Sequence, residues 1–447
     1  MRLSFNISNI KTKKYMIMQK KLSVILLFLS FLIYSNTGSA QQLHGRLSAL
    51  EGITEVKKIE SDVFNEKYVI KVRQPLDHQH PEKGSFTQRV IISHAGYDRP
   101  TVLITEGYGA AYAFNPKYRE EISKLLDANM VFVEHRYFLE STPDPCDWQY
   151  LTVRNSAYDL HHIRTLLEKT YPGKWISTGI SKGGQTTCFY RSYFPDDVDF
   201  SVPYVAPLNR GIEDGRHEPF LRKVGSKEVR KAIQAYQLEV LKRKDALVPM
   251  MEKYSKEKNL EYNIPIEEVI DYCVLEYSFS FWQWGSSIDI IPDLEADDTT
   301  IFNHLVKVCG PDYFSRDHAI VSFFVQAAKE LGYYGYDTKP FKKYLSIKSA
   351  KGYLNKIMLP DELVGKIEFS TELYKKVYNF FKENDPKIIF IYGECDPWSA
   401  PRMPDFKNKK NEQIYIQPNG SHVARIHNMP EDMKEKIISQ IKAWVEE

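Results

Sequence analysis

The chain has 447 residues, 43% apolar and 26% charged, enough for one large domain or a core with an insertion and too apolar for a disordered or low-complexity chain. Its formal charge of +2 comes from the N-terminus: residues 1–40 carry six bases and no acid, so without them the charge is −4. No basic tract remains, which excludes a nucleic-acid partner bound through its phosphates.

The first elements form an export signal. A basic stretch with Lys11, Lys13, Lys14, Lys20 and Lys21 precedes the apolar run Leu22 to Tyr34, and Gly38 and Ala40 supply small residues for cleavage before Gln41. The run is too short to span a bilayer comfortably. Residues 1–40 are therefore expected to be a cleaved signal peptide, the mature chain to reach the periplasm or the medium, and no membrane span to remain. The five cysteines, Cys146, Cys188, Cys273, Cys309 and Cys395, are odd in number and lack CxxC spacing, so they read mainly as small buried apolar residues.

Two runs rich in β-branched residues follow, Phe64 to Arg73 and Phe86 to Ser93, joined by the turn-rich PLDHQHPEKGS; they predict a hairpin at a sheet edge. Short continuous apolar runs come next: Thr101 to Thr105, Met130 to Glu134, Trp175 to Thr178, Phe200 to Val205, Ile388 to Tyr392 and Gln413 to Ile416. Continuous rather than alternating apolarity predicts strands buried on both faces of a mostly parallel sheet. Helical spacing over Lys117 to Asn129 and Ala157 to Thr170 fills the intervals, giving an α/β sandwich. From Gly211 to Leu345 only helical spacing is visible, so the expected organisation is a core of residues 41–210 and 346–447 interrupted by a helical cap of residues 211–345. Aromatic residues crowd this cap, in FWQWG (Phe281, Trp282, Trp284) and GYYGYD (Tyr333, Tyr334, Tyr336), and fill its core or line a pocket beneath it.

Gly179, Ser181 and Gly183 make GxSxG, a pattern that chance alone supplies in roughly one chain in seven of this length at average residue usage. Its setting is more telling. It follows the run Trp175 to Thr178 and opens the amphipathic segment Gln185 to Phe194, the strand-turn-helix arrangement of a nucleophile elbow. A serine hydroxyl needs an imidazole to take its proton, and the imidazole needs a carboxylate to hold its tautomer. In an α/β-hydrolase fold the chain order is Ser, acid, His. Asp396 follows the strand run in KIIFIYGECDPW, and His422 follows the next one in QIYIQPNGSH, which meets that order. Asp405 sits in a polar stretch, His427 in expected helix, and His161 and His162 precede the serine, so each competes poorly. The oxyanion requires two backbone N–H donors: one is Lys182, after the serine, and ITEGYGAAY offers Gly107 and Tyr108 for the other. Glu134 and Arg136 of VEHRYF are expected to form a structural ion pair.

The strings TEGYG, VEHRYF, TGISKGGQT, APLNRGIEDGR and GECDPW, with the final SH, resemble the S37 family of secreted bacterial serine peptidases, prolyl tri- and tetrapeptidyl aminopeptidases of the PS-10 type, and more distantly the S28 peptidases. The resemblance implies that Ser181, Asp396 and His422 form the triad, and that the substrate is a short peptide with a free amino terminus cut after proline. A proline ring needs a small aromatic pocket, for which Trp398, Trp282 and Trp284 are candidates. A free ammonium needs a buried carboxylate, for which Glu213 is preferred over Asp214, with Glu106 and Glu330 behind them. No HExxH, paired CxxC or dinucleotide fingerprint is present, so neither metal nor organic cofactor is expected. The same fold and triad also suit a carboxylesterase or lipase, or a non-catalytic binding module.

Overall fold

The computed structural model describes residues 42–447 apart from Asp317. The export signal expected over residues 1–40 lies outside the described residues, among which no helix is long and apolar enough to cross a membrane.

Nine strands form one sheet: β1 (Ile53–Lys58), β2 (Glu66–Pro75), β3 (Ser85–His94), β4 (Thr101–Thr105), β5 (Asn129–Val133), β6 (Trp175–Ile180), β7 (Phe200–Tyr204), β8 (Ile388–Gly393) and β9 (Glu412–Gln417). Their spatial order is β1-β2-β3-β5-β4-β6-β7-β8-β9. β1, β2 and β3 pair antiparallel, β3 meets β5 antiparallel, and every pairing from β5 to β9 is parallel. β4, β5, β7 and β8 are buried at every residue, as strands covered on both faces are, whereas β9 at the sheet's edge is only half-buried. On β5, Met130 and Phe132 join one core cluster while Val131 and Val133 join the other. The expected hairpin of β2 and β3 is present, but β1 lies outside it and forms the edge. β1 reads ITEVKK, its charges exposed, which blunts an edge otherwise open to pairing.

Helices flank the sheet: α1 (Glu121–Leu126), α2 (Val153–Leu167), α3 (Lys182–Tyr193), and, after β7, α4 (Lys227–Lys242), α5 (Lys244–Lys258), α6 (Ile266–Gln283), α7 (Asp298–Val308), α8 (Glu372–Glu383) and α9 (Glu431–Glu446). α1 is shorter than the expected Lys117 to Asn129; Glu120 caps its start by accepting the Ser123 N–H, and Asp127, in left-handed conformation, ends it. α9 packs Ile437, Ile441 and Trp444 on one face of the sheet, and α2 packs Leu160, Ile163 and Leu167 on the other. Among the described residues no strand intervenes between Tyr204 and Ile388, and α4 to α7 gather about a core containing Tyr236, Val240, Val274 and Tyr277. This is an α/β-hydrolase fold with a mostly parallel sheet and a large helical segment between β7 and β8.

Glu134 and Arg136 do not pair with each other, which corrects the sequence expectation. Arg136, fully buried, makes two 2.7 Å bonds to Asp159 of α2, whereas Glu134 pairs with Arg89 of β3. Both lie past the end of β5, where the chain no longer keeps strand alternation and each side chain reaches its own neighbour.

Candidate active site

β6 ends at Ile180 and α3 begins at Lys182, so Ser181 alone makes the turn, with φ 58° and ψ −120°. A positive φ on a residue with a Cβ costs of order 1–3 kcal/mol and persists only where the surroundings impose it. The turn is held between strand and helix packed closely: a Cβ on Gly179 would lie 2.3 Å from the Gly183 carbonyl oxygen, so the two can approach only with glycine there. Gly107 likewise lies against Lys182, where a Cβ would come within 2.6 Å. The loop after β4 is thereby pressed against the first turn of α3, whose N-terminus favours negative charge.

Asp396 and His422 follow β8 and β9. Asp396 is fully buried and accepts from His422 Nδ1 at 2.7 Å, leaving Nε2 for another partner. The His422 N–H donates to the Gln283 carbonyl at 2.9 Å, which ties the histidine loop to the last residue of α6. Ser181 and His422 line one cleft of about 570 Å³ between the sheet and the helical segment. His427 is exposed and bonded to Glu121, His161 is bonded to Asp197, and Asp405 is exposed, so none of the sequence competitors reaches the cleft.

The oxyanion side differs in detail from the backbone expectation. The Tyr108 N–H donates to Glu106 Oε1 at 3.2 Å, and Tyr108 lines the same cleft as Ser181. The Tyr108 ring packs edge-on between Phe138 and Phe323, and burial raises its phenol well above the ordinary range, so it remains a donor at neutral pH. The Lys182 side chain is buried over the faces of Tyr108 and Phe138, at 5.8 and 5.5 Å. Burial pushes its ammonium down to about 7 against the opposing fields of Glu106 and Glu330. Glu106 is buried too; burial raises its carboxyl, while the Tyr112 hydroxyl at 2.6 Å holds it.

The residues expected to bind substrate separate into two groups. Trp398 and Trp284 line the cleft; Trp398 packs with Phe279, Tyr333 and Tyr334 at 5.2–5.5 Å, and Trp284, largely exposed, stands edge-on 6.1 Å from the His422 ring. Trp282 does not: it packs inside the helical segment against Gly225 and Phe281, because α6 turns successive side chains by about 100°. Glu213 and Asp214 also lie off the cleft. Glu213 accepts from the Gly352 N–H, and Asp214 pairs with Arg216 and accepts from the Arg210 N–H at 2.8 Å, so both carboxylates hold loops together. Glu330 accepts the Val153 N–H at 2.7 Å.

The acid that reaches the cleft from the far wall is Glu276 of α6, which sequence reasoning passed over. It is buried, accepts the hydroxyls of Tyr334, Tyr336 and Ser280 at 2.9, 2.8 and 3.0 Å, and has no cation within ion-pair distance among the described residues. Burial pushes its carboxyl up to about 7, the three hydroxyls opposing. The signal was a lone carboxylate inside the apolar run VLEYSFSFW. No group of three or more metal-ligating side chains occurs among the described residues.

The profile of the PS-10 peptidase S37 family matches residues 38–446. The prolyl tri/tetrapeptidyl aminopeptidase of Streptomyces mobaraensis is 29% identical over 388 residues, 84% of this chain and 79% of that one. The mouse lysosomal Pro-X carboxypeptidase is 27% identical over 202 residues, covering 41% of this chain and 40% of its own. Among solved structures, the proline iminopeptidase of Mycobacterium smegmatis aligns over 84% of this chain and 98% of its own, at 10% identity and a TM-score of 0.40. With its profile match spanning nearly the whole described chain, this protein belongs to the S37 family of serine peptidases.

Proposed function

We propose that this chain is an exported aminopeptidase that releases short peptides, three or four residues long, from free amino termini by cleavage after proline. The observation that carries the reading is the Asp396–His422 bond at the ends of β8 and β9, in a cleft shared with Ser181 on a strained elbow. The relative from Streptomyces, named as a prolyl tri/tetrapeptidyl aminopeptidase, supports the substrate class.

In this mechanism Ser181 Oγ attacks the carbonyl carbon of the substrate proline as His422 Nε2 takes its proton. Asp396 holds the Nδ1 proton and stabilises the imidazolium. The tetrahedral oxyanion is met by the Lys182 N–H and by donors from the Gly107–Tyr108 loop. His422 returns the proton to the leaving amine, the C–N bond breaks, and the prolyl acyl group stays on Ser181. Water, deprotonated by His422, then releases the peptide and restores the serine. Trp398 with Tyr333 and Tyr334 offers the aromatic surface a proline ring packs on.

The test is hydrolysis of an alanyl-alanyl-prolyl p-nitroanilide beside a p-nitrophenyl ester by the mature protein. Faster turnover of the peptide, lost in Ser181→Ala, supports a peptidase acting after proline; turnover of the ester alone identifies an esterase.

A further inference from the structure

The cleft-facing residues of α6 are Glu276, Ser280 and Gln283. Their spacing of four and three places them on one face of the helix, and the seven residues from Glu276 to Gln283 make two turns, about 10 Å of rise. One end of this face is fixed to the catalytic histidine, because the Gln283 carbonyl accepts the His422 N–H at 2.9 Å. The other end carries a buried carboxylate, Glu276, without a cationic partner among the described residues. An ionised carboxylate offers about four acceptor positions, and the hydroxyls of Tyr334, Tyr336 and Ser280 take three. Among the described residues Oε1 accepts from Ser280 alone, so capacity for one further donor remains there. A buried, unpaired carboxylate in a cleft is costly unless a cation completes it.

We infer that α6 is a ruler: Glu276 binds the substrate α-ammonium group, and its separation from His422 sets the released peptide at three residues. The inference rests on the aminopeptidase reading above and adds to it the anchor and the count. An extended chain spans about 3.3–3.6 Å per residue, so two residues reach about 7 Å, three about 10 Å and four about 13 Å. Three match the two turns of α6, while four fit only by bowing. Glu106, the other buried acid of the cleft, sits on the residue before Gly107, against the elbow itself, and is too close to the reacting bond to anchor a third residue. Asp312 lines the cleft but is exposed, where water competes for the ammonium.

The experiment compares wild type with Glu276→Gln and Glu276→Asp on p-nitroanilides ending in proline, two, three and four residues long, each with a free and an acetylated amino terminus. Fluorophosphonate labelling of Ser181 in each variant reports an intact fold and elbow. Wild type is expected to favour the free three-residue substrate. Glu276→Gln is expected to lose about 10²-fold in kcat/KM on that substrate, with little change on its acetylated form, so that both the amine preference and the length preference flatten. Glu276→Asp is expected to keep the amine preference at reduced kcat/KM. A labelled Glu276→Gln variant that still prefers the free three-residue substrate overturns the ruler and leaves the aminopeptidase reading standing. A wild type that labels but cleaves none of the free substrates overturns both.

Discussion

Tyr108 turns its backbone N–H to Glu106 Oε1 at 3.2 Å, while its side chain lines the cleft together with Ser181. The side chain rather than the backbone of this residue therefore faces the reacting centre. Tyr108→Phe removes only the hydroxyl, and is expected to lower kcat by about 10²–10³-fold if that hydroxyl meets the oxyanion. Steady-state kinetics decide it: an unchanged kcat assigns the second donor to the backbone alone.

Asp396 lies fully buried 2.7 Å from His422 Nδ1, so its exchange for asparagine keeps the shape and reverses the preferred tautomer. Asp396→Asn is expected to cost about 10⁴-fold in kcat. The melting temperature should stay close to wild type, and a loss of activity accompanied by unfolding would count against a role in orienting His422.

Burial holds the Glu276 carboxyl near pH 7, and no lysine, arginine or histidine lies within ion-pair distance of it among the described residues. Below that pH the carboxyl takes up a proton and loses its attraction for an ammonium group. Above roughly 7.7–8.0 the substrate amine loses its own proton. KM for free-amine substrates is thus expected to be lowest between about pH 7 and 8 and to rise on acidification, with the acid limb absent in Glu276→Gln. A KM that is flat from pH 5.5 to 8 contradicts the pairing.

How far the sequence carried these assignments depended on how local each feature is. Ser181, Asp396 and His422 follow the ends of β6, β8 and β9 by one, three and five residues, so their positions at one end of the sheet follow from a few neighbouring residues. The apolar parallel strands were legible for the same reason. β1 was not, because ITEVKK exposes its charges at an edge and touches the sheet on one side only. The partner of Arg136 depends on how α2 packs, and the spacing of VEHRYF carries no information about that. The sequence points to Glu213 and Asp214, after β7, for a free ammonium, and their carboxylates instead tie loops together. What marks Glu276 is an acid among apolar helical residues, and only the folded cleft says which wall α6 presents.

The Arg136–Asp159 pair is buried on both sides, and Arg136 also donates to the carbonyls of Leu76 and Tyr150 at 2.8 and 3.0 Å. Asp159→Ala leaves the guanidinium without its counter-charge and is expected to destabilise the fold by about 3–5 kcal/mol. Urea unfolding measures this as a lower midpoint at unchanged slope. A midpoint shift worth less than about 1 kcal/mol would show that the carbonyls alone satisfy Arg136.

The most direct test of the account is a single kinetic comparison: kcat/KM for alanyl-alanyl-prolyl p-nitroanilide with a free and with an acetylated amino terminus, in the wild type and in Ser181→Ala. The account predicts rapid cleavage of the free form, cleavage of the acetylated form lower by about 10²-fold, and loss of both in Ser181→Ala. Equal turnover of the two forms, or activity surviving in Ser181→Ala, would contradict it.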